Sequence, residues 1–423
     1  MTSGHQHKGR TLWLCGLLHA FTHLYQMALI PLYLLIQRDL KLASVEQSTL
    51  LVSVMGIAYF LPAYPQGVLA DRFSRKKLLA FGLALNGVGF VSLAFSPNYA
   101  CALASVTIAG LGGSFYHPAA TALIARLYAG KTGRALGLVA IGASAGFFLS
   151  PIYSGWRAET TGNWRQPVLE MGVLGVIVAG IFYWLADEDP VAPARATPGP
   201  HGEKLFPTRA LWGIFLAMSF LLSLRDFAGS GMASLGSLFL QKAHGFNPQT
   251  TGFIISGIFL ASAVSSPMFG HLSDGGRVRW AMILITLGAF VIALFPRVPK
   301  TWMFPMLSAY GFFFMATYPV TEAAVMESVP DAVRGRVFGV FLTFGGMVGN
   351  ISHWAVGVLV KNLGANASSP ANYQPLYNFL ALMLLASLTA LPCLHAIRKR
   401  EGLDASGGGL ADSALRTPRS VLK

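Results

Sequence analysis

Arg225 and Asp226 interrupt an otherwise apolar run, LLSLRDFAGSG. A guanidinium presents a planar fork that matches carboxylate or phosphonate, so Arg225 either pairs with an acid on another segment or receives an anionic solute. Asp226 is then its counter-charge or a carrier of protons. Neighbouring positions on a helix diverge by ~100°, so the two side chains need not meet. Gly229 and Gly231, just beyond, allow a helix to bend near the pair. His19 and His23 are four apart in LHAFTHLYQ and share one helix face, with Tyr25 and Gln26 extending the polar surface. Such histidines either titrate near neutral pH beside water or hydrogen-bond to neighbouring helices. A metal site requires a third ligand and none is evident, so neither metal nor cofactor is expected. His117 precedes Pro118; it either bonds the carbonyl freed by the proline ring or lines a cavity. Glu322, three residues after Pro319, joins Asp226 and His23 as a candidate proton carrier. With Asn350 and Trp354 of a later polar and aromatic group that also holds His353, the expected solute-binding residues are Arg225, His19, His23, Gln26, His117, Asn350 and Trp354.

The elements that position these groups follow from composition. The chain has 423 residues, of which 54% are hydrophobic and 11% charged, where ~25% charged is usual for a soluble domain. Too little polar surface exists to cover a particle in water, so a lipid bilayer must cover it. A net charge of +14 suggests nucleic acid in a soluble protein. Here Lys and Arg concentrate on one side of alternating apolar spans, which is the positive-inside bias, and nucleic acid is excluded as a partner. That bias puts both termini in the cytoplasm of a multi-pass plasma-membrane protein (the inner membrane in a bacterium). Cys15, Cys101 and Cys393 lie in apolar stretches and form no disulfide frame or metal spacing. The first apolar run follows Lys8 and Arg10 and is too long for a cleavable signal core, so it is a retained helix.

Twelve spans are expected, at roughly 11–37, 47–70, 78–96, 99–127, 133–156, 166–186, 210–240, 249–273, 280–296, 301–328, 335–361 and 373–397. Each nears or exceeds the ~20 residues that cross the hydrocarbon core. Backbone groups in lipid must be satisfied within the segment, so the spans are helices, and the alternating pattern of a membrane barrel is absent. The fold class is an all-α membrane protein of two six-helix bundles, 1–186 and 209–400. A Pro-, Ala- and Gly-rich cytoplasmic linker at 187–208 joins them, and a disordered tail follows at 401–423.

The bundles are repeats. GVLADRFSRKK, from Gly67, and GHLSDGGRVR, from Gly270, are separated by 203 positions, as are Asp71 and Asp274. Pro118 matches Pro319, Gly133 and Arg134 match Gly335 and Arg336, and Gly142 and Gly146 match Gly345 and Gly349. The last two pairs have spacings that let helix backbones approach closely, as simple packing does. Parallel halves about a site at mid-depth are one arrangement for alternating access. Arg126, Arg134, Arg334 and Arg336 lie near helix ends on the side of the Gly67 loop, where Asp71 and Asp274 either pair with such cations or simply share the charge bias.

The loop resembles the signature of the major facilitator superfamily, Gly-x-Leu-x-Asp-Arg-x-Gly-Arg-Lys. Gly67, Leu69, Asp71, Arg72, Arg75 and Lys76 match it, while Ser74 stands where the second glycine falls. The resemblance covers nearly the whole chain. It implies a cytoplasmic gate built from Gly67, Asp71, Arg72, Arg75, Asp274, Arg134 and Arg336. It also offers, beside simple packing, a second reading of Gly142, Gly146, Gly345 and Gly349 as the seam between the halves of an exporter. GGSFYHPAATALIARLY resembles more narrowly the fosmidomycin-resistance-like branch, as do His19 and Gln26, with His23 standing where that branch often has Asp. The function implied is secondary active transport of a small organic solute by a monomer; Arg225 suggests an anionic one. No nucleotide-binding Gly-x-x-x-x-Gly-Lys-Ser/Thr motif is present, so protons are the expected coupling ion. Resemblance favours efflux over uptake symport. A receptor or assembly protein on the same fold would show a cavity lined only by apolar groups. No nucleophile–base pair suggests an enzyme.

Overall fold

The computed structural model describes residues 3–187 and 205–400, and among these every regular element is helical. Most of the expected linker and the tail at 401–423 lie outside the described residues. The first half comprises α1 (Ser3–Met27), α2 (Tyr33–Asp39), α3 (Val45–Phe60), α4 (Ala63–Arg72), α5 (Arg75–Ala94), α6 (Tyr99–Gly113), α7 (Tyr116–Leu127), α8 (Thr132–Thr161) and α9 (Arg165–Leu185). The second comprises α10 (Arg209–Leu238), α11 (Pro248–Leu260), α12 (Ser262–Leu272), α13 (Arg277–Leu294), α14 (Met303–Glu327), α15 (Asp331–Asn362), α16 (Gln374–Ala386) and α17 (Leu391–Arg400). Among the described residues, eight helical spans are long and apolar enough to cross a membrane, or nine if α3 and α4, bent by 41°, count as one. The other long helices, α1, α14 and α15, carry His19, His23, Glu322, Asn350 and His353.

Prolines locate the breaks. Pro118 has no N–H to offer the carbonyl of Ser114, and α6 ends one residue earlier, at Gly113. His117 therefore sits in the first turn of α7. Pro31 falls in the one-turn 3-10 segment Ile30–Leu32 between α1 and α2. Pro319 stays inside α14, where the carbonyl it leaves without its helical donor, that of Met315, lies 3.5 Å from the Ser266 hydroxyl.

The halves meet closely at one end. A Cβ on Gly252 of α11 would lie 1.9 Å from the Pro151 carbonyl oxygen of α8, and one on Gly357 of α15 would lie 2.2 Å from Thr49 Oγ1 of α3. Only glycine admits backbones this close. At the same end Lys361 pairs with Glu46 at 2.7 Å, the Ser53 hydroxyl donates to the Asn350 carbonyl at 2.6 Å, and Tyr33 and Ser234 hydroxyls bond at 2.7 Å. Within the first half, Arg165 donates to Asp39 at 2.9 Å and to the Ala94 and Ser96 carbonyls, tying α9 to α2 and to the end of α5. At the other end, where the Gly67 and Asp274 loops lie, a Cβ on Gly67, Gly133, Gly137 or Gly339 would meet nothing. The molecule is closed away from those loops and open beside them.

Gly142 and Gly146 do not lie on the seam. A Cβ on each would strike the Gly16 and Ala20 carbonyl oxygens of α1, in the same half. Gly345 and Gly349 pack α15 against Asp226 of α10 in the other half.

Candidate functional site

A cavity of about 320 Å³ lies between the halves. The first half lines it with His23, Gln26 and Met27 of α1, Phe60 of α3 and Phe147 of α8. The second half contributes Arg225, Asp226 and Ser230 of α10, Tyr318 and Glu322 of α14, and Gly345, Gly346, Asn350 and His353 of α15. Most of the remaining wall is aliphatic or aromatic. A few charged groups in an apolar hollow is the make-up of a small-molecule site.

Arg225 is the most constrained of these groups, with 1% of its surface exposed. Contrary to the helical-angle argument, it does pair with its neighbour. Nε and Nη2 donate to Asp226 Oδ1 at 3.0 and 2.8 Å. The arginine stem is long enough to turn back along α10, and burial removes the water that would otherwise compete for both charges. Nη1 donates to the Thr321 hydroxyl of α14, and the guanidinium lies 4.1 Å from the centroid of the Tyr318 ring. Glu322 faces the same cavity.

Tyr318 and Thr321 were missed by sequence reasoning, although the repeat pointed to them. Tyr318 precedes Pro319 as His117 precedes Pro118, so the residue before each proline flanks the polar group of its own half.

On the opposite wall is His23; His19 and His117, expected to bind solute, do not line the cavity, but His19 faces His23 with the Nε2 atoms 3.1 Å apart. His23 Nδ1 lies 3.0 Å from the Gln26 amide oxygen, and His19 Nδ1 lies 3.1 Å from the Val139 carbonyl oxygen of α8. His117 of α7 completes the group: one ligand atom from each of the three histidines lies within 4.8 Å of the others. The expectation that no third ligand exists is therefore corrected. The sequence separates His117 from His23 by five helices, α2 to α6, and only the packing of α7 on α1 joins them. The His23 ring stacks on Phe147 at 4.2 Å and the His19 ring on Tyr116 at 4.6 Å, which holds both imidazoles in place.

Asn350 lies on the wall, its amide donating to the Gly346 carbonyl at 2.8 Å and its side chain filling the space beside Gly56. Trp354 does not line the cavity. Its side chain is 42% exposed, and its backbone N–H donates to Ser53 Oγ at 2.9 Å. One residue earlier, His353 does line it and bonds the Ser234 hydroxyl at 2.7 Å. Packing against α3 sets the rotation of α15 and turns positions 350 and 353 inward.

The expected gate residues lie at the open end. Asp71, Arg72, Arg134 and Arg336 are exposed, and Gly67 and Arg75 are half-buried. Asp274 pairs with Arg277 at 3.0 Å and His271 at 3.7 Å, and Arg277 also reaches Glu327 at 2.7 Å, all in the second half.

Enterobactin exporter EntS from Shigella boydii serotype 18 is 27% identical over 371 residues, covering 82% of this chain and 83% of the exporter. EntS proteins of Escherichia coli, including strain O157:H7, align equally well. In fold, the chain is similar to a bacterial homologue of the human lysosomal transporter Spinster solved in an inward-facing, unoccupied conformation. The TM-score is 0.73 at 16% identity, covering 94% of this chain and 97% of that one. It is also similar to a mutant of the nucleoside transporter NupG, with a TM-score of 0.74 at 18% identity, covering 91% and 99%. The model of the Major Facilitator Superfamily matches residues 12–353 and 219–409, and with two helical halves enclosing a charged cavity the chain belongs to that superfamily of membrane transporters.

Proposed function

We propose that this transporter moves a small organic anion by alternating access and exports it against an inward proton gradient. It does so as a monomer in the plasma membrane, with both termini and the Gly67 and Asp274 loops in the cytoplasm. The observation that carries the reading is Arg225, a guanidinium buried in the cavity wall beside one carboxylate and one aromatic face. A buried charge at this depth is costly and is expected to serve a ligand or a partner. In the antiport cycle an arriving carboxylate or phosphonate competes with a deprotonated Asp226 for the fork of Arg225, and Asp226 or Glu322 takes up a proton only after the anion has left. Two histidines, a glutamine and Glu322 in the lining argue against a receptor that has lost transport. Export is supported by the exporters to which the chain is similar. The structure, open beside the cytoplasmic loops, is then the state that loads solute from inside.

One observation favours the reverse coupling. Because Asp226 already occupies Arg225, protonating Asp226 frees the guanidinium, so proton and anion bind together, as in uptake symport.

Proteoliposomes under an imposed pH gradient separate these readings. Export by antiport accumulates an anionic solute in vesicles with an acidic lumen; symport accumulates it when the outside is acidic. Arg225→Ala, checked for folding by its elution and melting profile, should lower flux about 10- to 100-fold, the value of a charge-assisted fork. Undiminished flux in that variant overturns the anionic reading.

A further inference from the structure

His19, His23 and His117, of which His23 lines the cavity, are more ordered than solute binding requires. The Val139 carbonyl can only accept, so the His19 Nδ1 facing it at 3.1 Å carries the proton. The Gln26 oxygen likewise places the proton of His23 on Nδ1. Each neutral ring then presents a bare Nε2 lone pair, and these two atoms face each other 3.1 Å apart. Two lone pairs at that distance repel unless a cation lies between them.

The spacing suits a metal. Tetrahedral zinc with nitrogen ligands at ~2.0–2.1 Å separates neighbouring ligand atoms by roughly 3.3 Å. Histidines four apart on one helix are a known two-ligand arrangement for zinc. The Nδ1 contacts to Val139 and Gln26 are the outer partners that orient metal-bound imidazoles. His117, within 4.8 Å and exposed, supplies the third ligand and an entry path. His23 lines the cavity, so a fourth position opens toward the transported solute.

We infer that His19, His23 and His117 bind a divalent transition-metal ion of the zinc class, with one coordination position open to the cavity. Imidazole nitrogens favour zinc, cobalt or nickel over magnesium or calcium. The inference is independent of which solute is carried and in which direction.

The test uses untagged full-length protein in detergent with His5→Gln and His7→Gln, so that N-terminal histidines do not contribute. Titration with Zn²⁺ by calorimetry should give one tight site per chain, and Co²⁺ should give the visible absorption of a tetrahedral nitrogen site. His19→Ala with His117→Ala should abolish both. Gln26→Leu should weaken affinity about 10- to 100-fold while the Co²⁺ spectrum keeps its form. His117→Cys should retain binding and add a thiolate charge-transfer band, a change that a purely structural histidine cannot produce. Unchanged stoichiometry in the double alanine variant, or no Co²⁺ spectrum in the parent, overturns the site. The latter result would assign the pair to a neutral hydrogen-bonded chain with the Gln26 amide turned over.

Discussion

Arg225 and Asp226 illustrate why a buried charge pair is asymmetric under mutation. Removing one member leaves the other buried without its counter-charge, whereas replacing both with apolar groups of similar size removes the desolvation cost altogether. Asp226→Ala should therefore lower stability by about 3–5 kcal/mol. Arg225→Met combined with Asp226→Leu should recover most of that loss while leaving the protein inactive. Melting curves and flux on the same preparations check both. If the double variant is as unstable as the single one, the pair is holding α10 to α14 through Thr321 rather than serving the cavity. Glu46–Lys361 is a different case: the lysine is half-exposed, and a pair of this kind contributes about 1 kcal/mol or less. It guides the closed end rather than clamping it.

Among the helices, the crossing of α8 with α11 and that of α3 with α15 do the closing. Both rely on glycine: a Cβ at Gly252 would sit on the Pro151 oxygen, and one at Gly357 would sit on Thr49. Gly252→Val should push the closed end apart without unfolding either half. Accessibility of a cysteine at Ser230, in a background lacking Cys15, Cys101 and Cys393, reports this. Reaction with a membrane-impermeant thiol reagent from the side away from the Gly67 loop should rise several-fold. Equal reactivity with and without the valine would show that the seal lies elsewhere. The hydropathy of individual spans, by contrast, says little about closure, because α1, α14 and α15 owe their polarity to the cavity they line.

For the transporter as a unit, the two ends cannot both be tightly packed around an open cavity, and in the proposed alternating access this structure is one of the two arrangements. Solute binding should favour closure beside the loops. Spin labels at Asp71→Cys and Asp274→Cys, both exposed, should move several ångströms closer when solute is added, while a pair spanning Glu46 and Lys361 separates. A distance distribution indifferent to solute and to pH would count against alternating access.

Read alone, the residue string specifies an α-helical membrane protein of two related halves, because apolar length, the satisfaction of backbone groups in lipid and a repeated basic loop are all local properties. It also singles out Arg225, Asp226, His23, Gln26 and Glu322, since a polar group in an apolar run is conspicuous wherever its helix packs. Three dimensions are needed for relations between segments. His117 joins His19 and His23 only because Pro118 starts a new helix against α1. Trp354 turns away and His353 inward because α3 sets the rotation of α15. Arg225 folds back onto Asp226 because the cleft excludes water. Which end closes is likewise decided by Gly252 and Gly357 meeting the Pro151 carbonyl and the Thr49 hydroxyl across the halves, a matter of ångströms that no periodicity encodes.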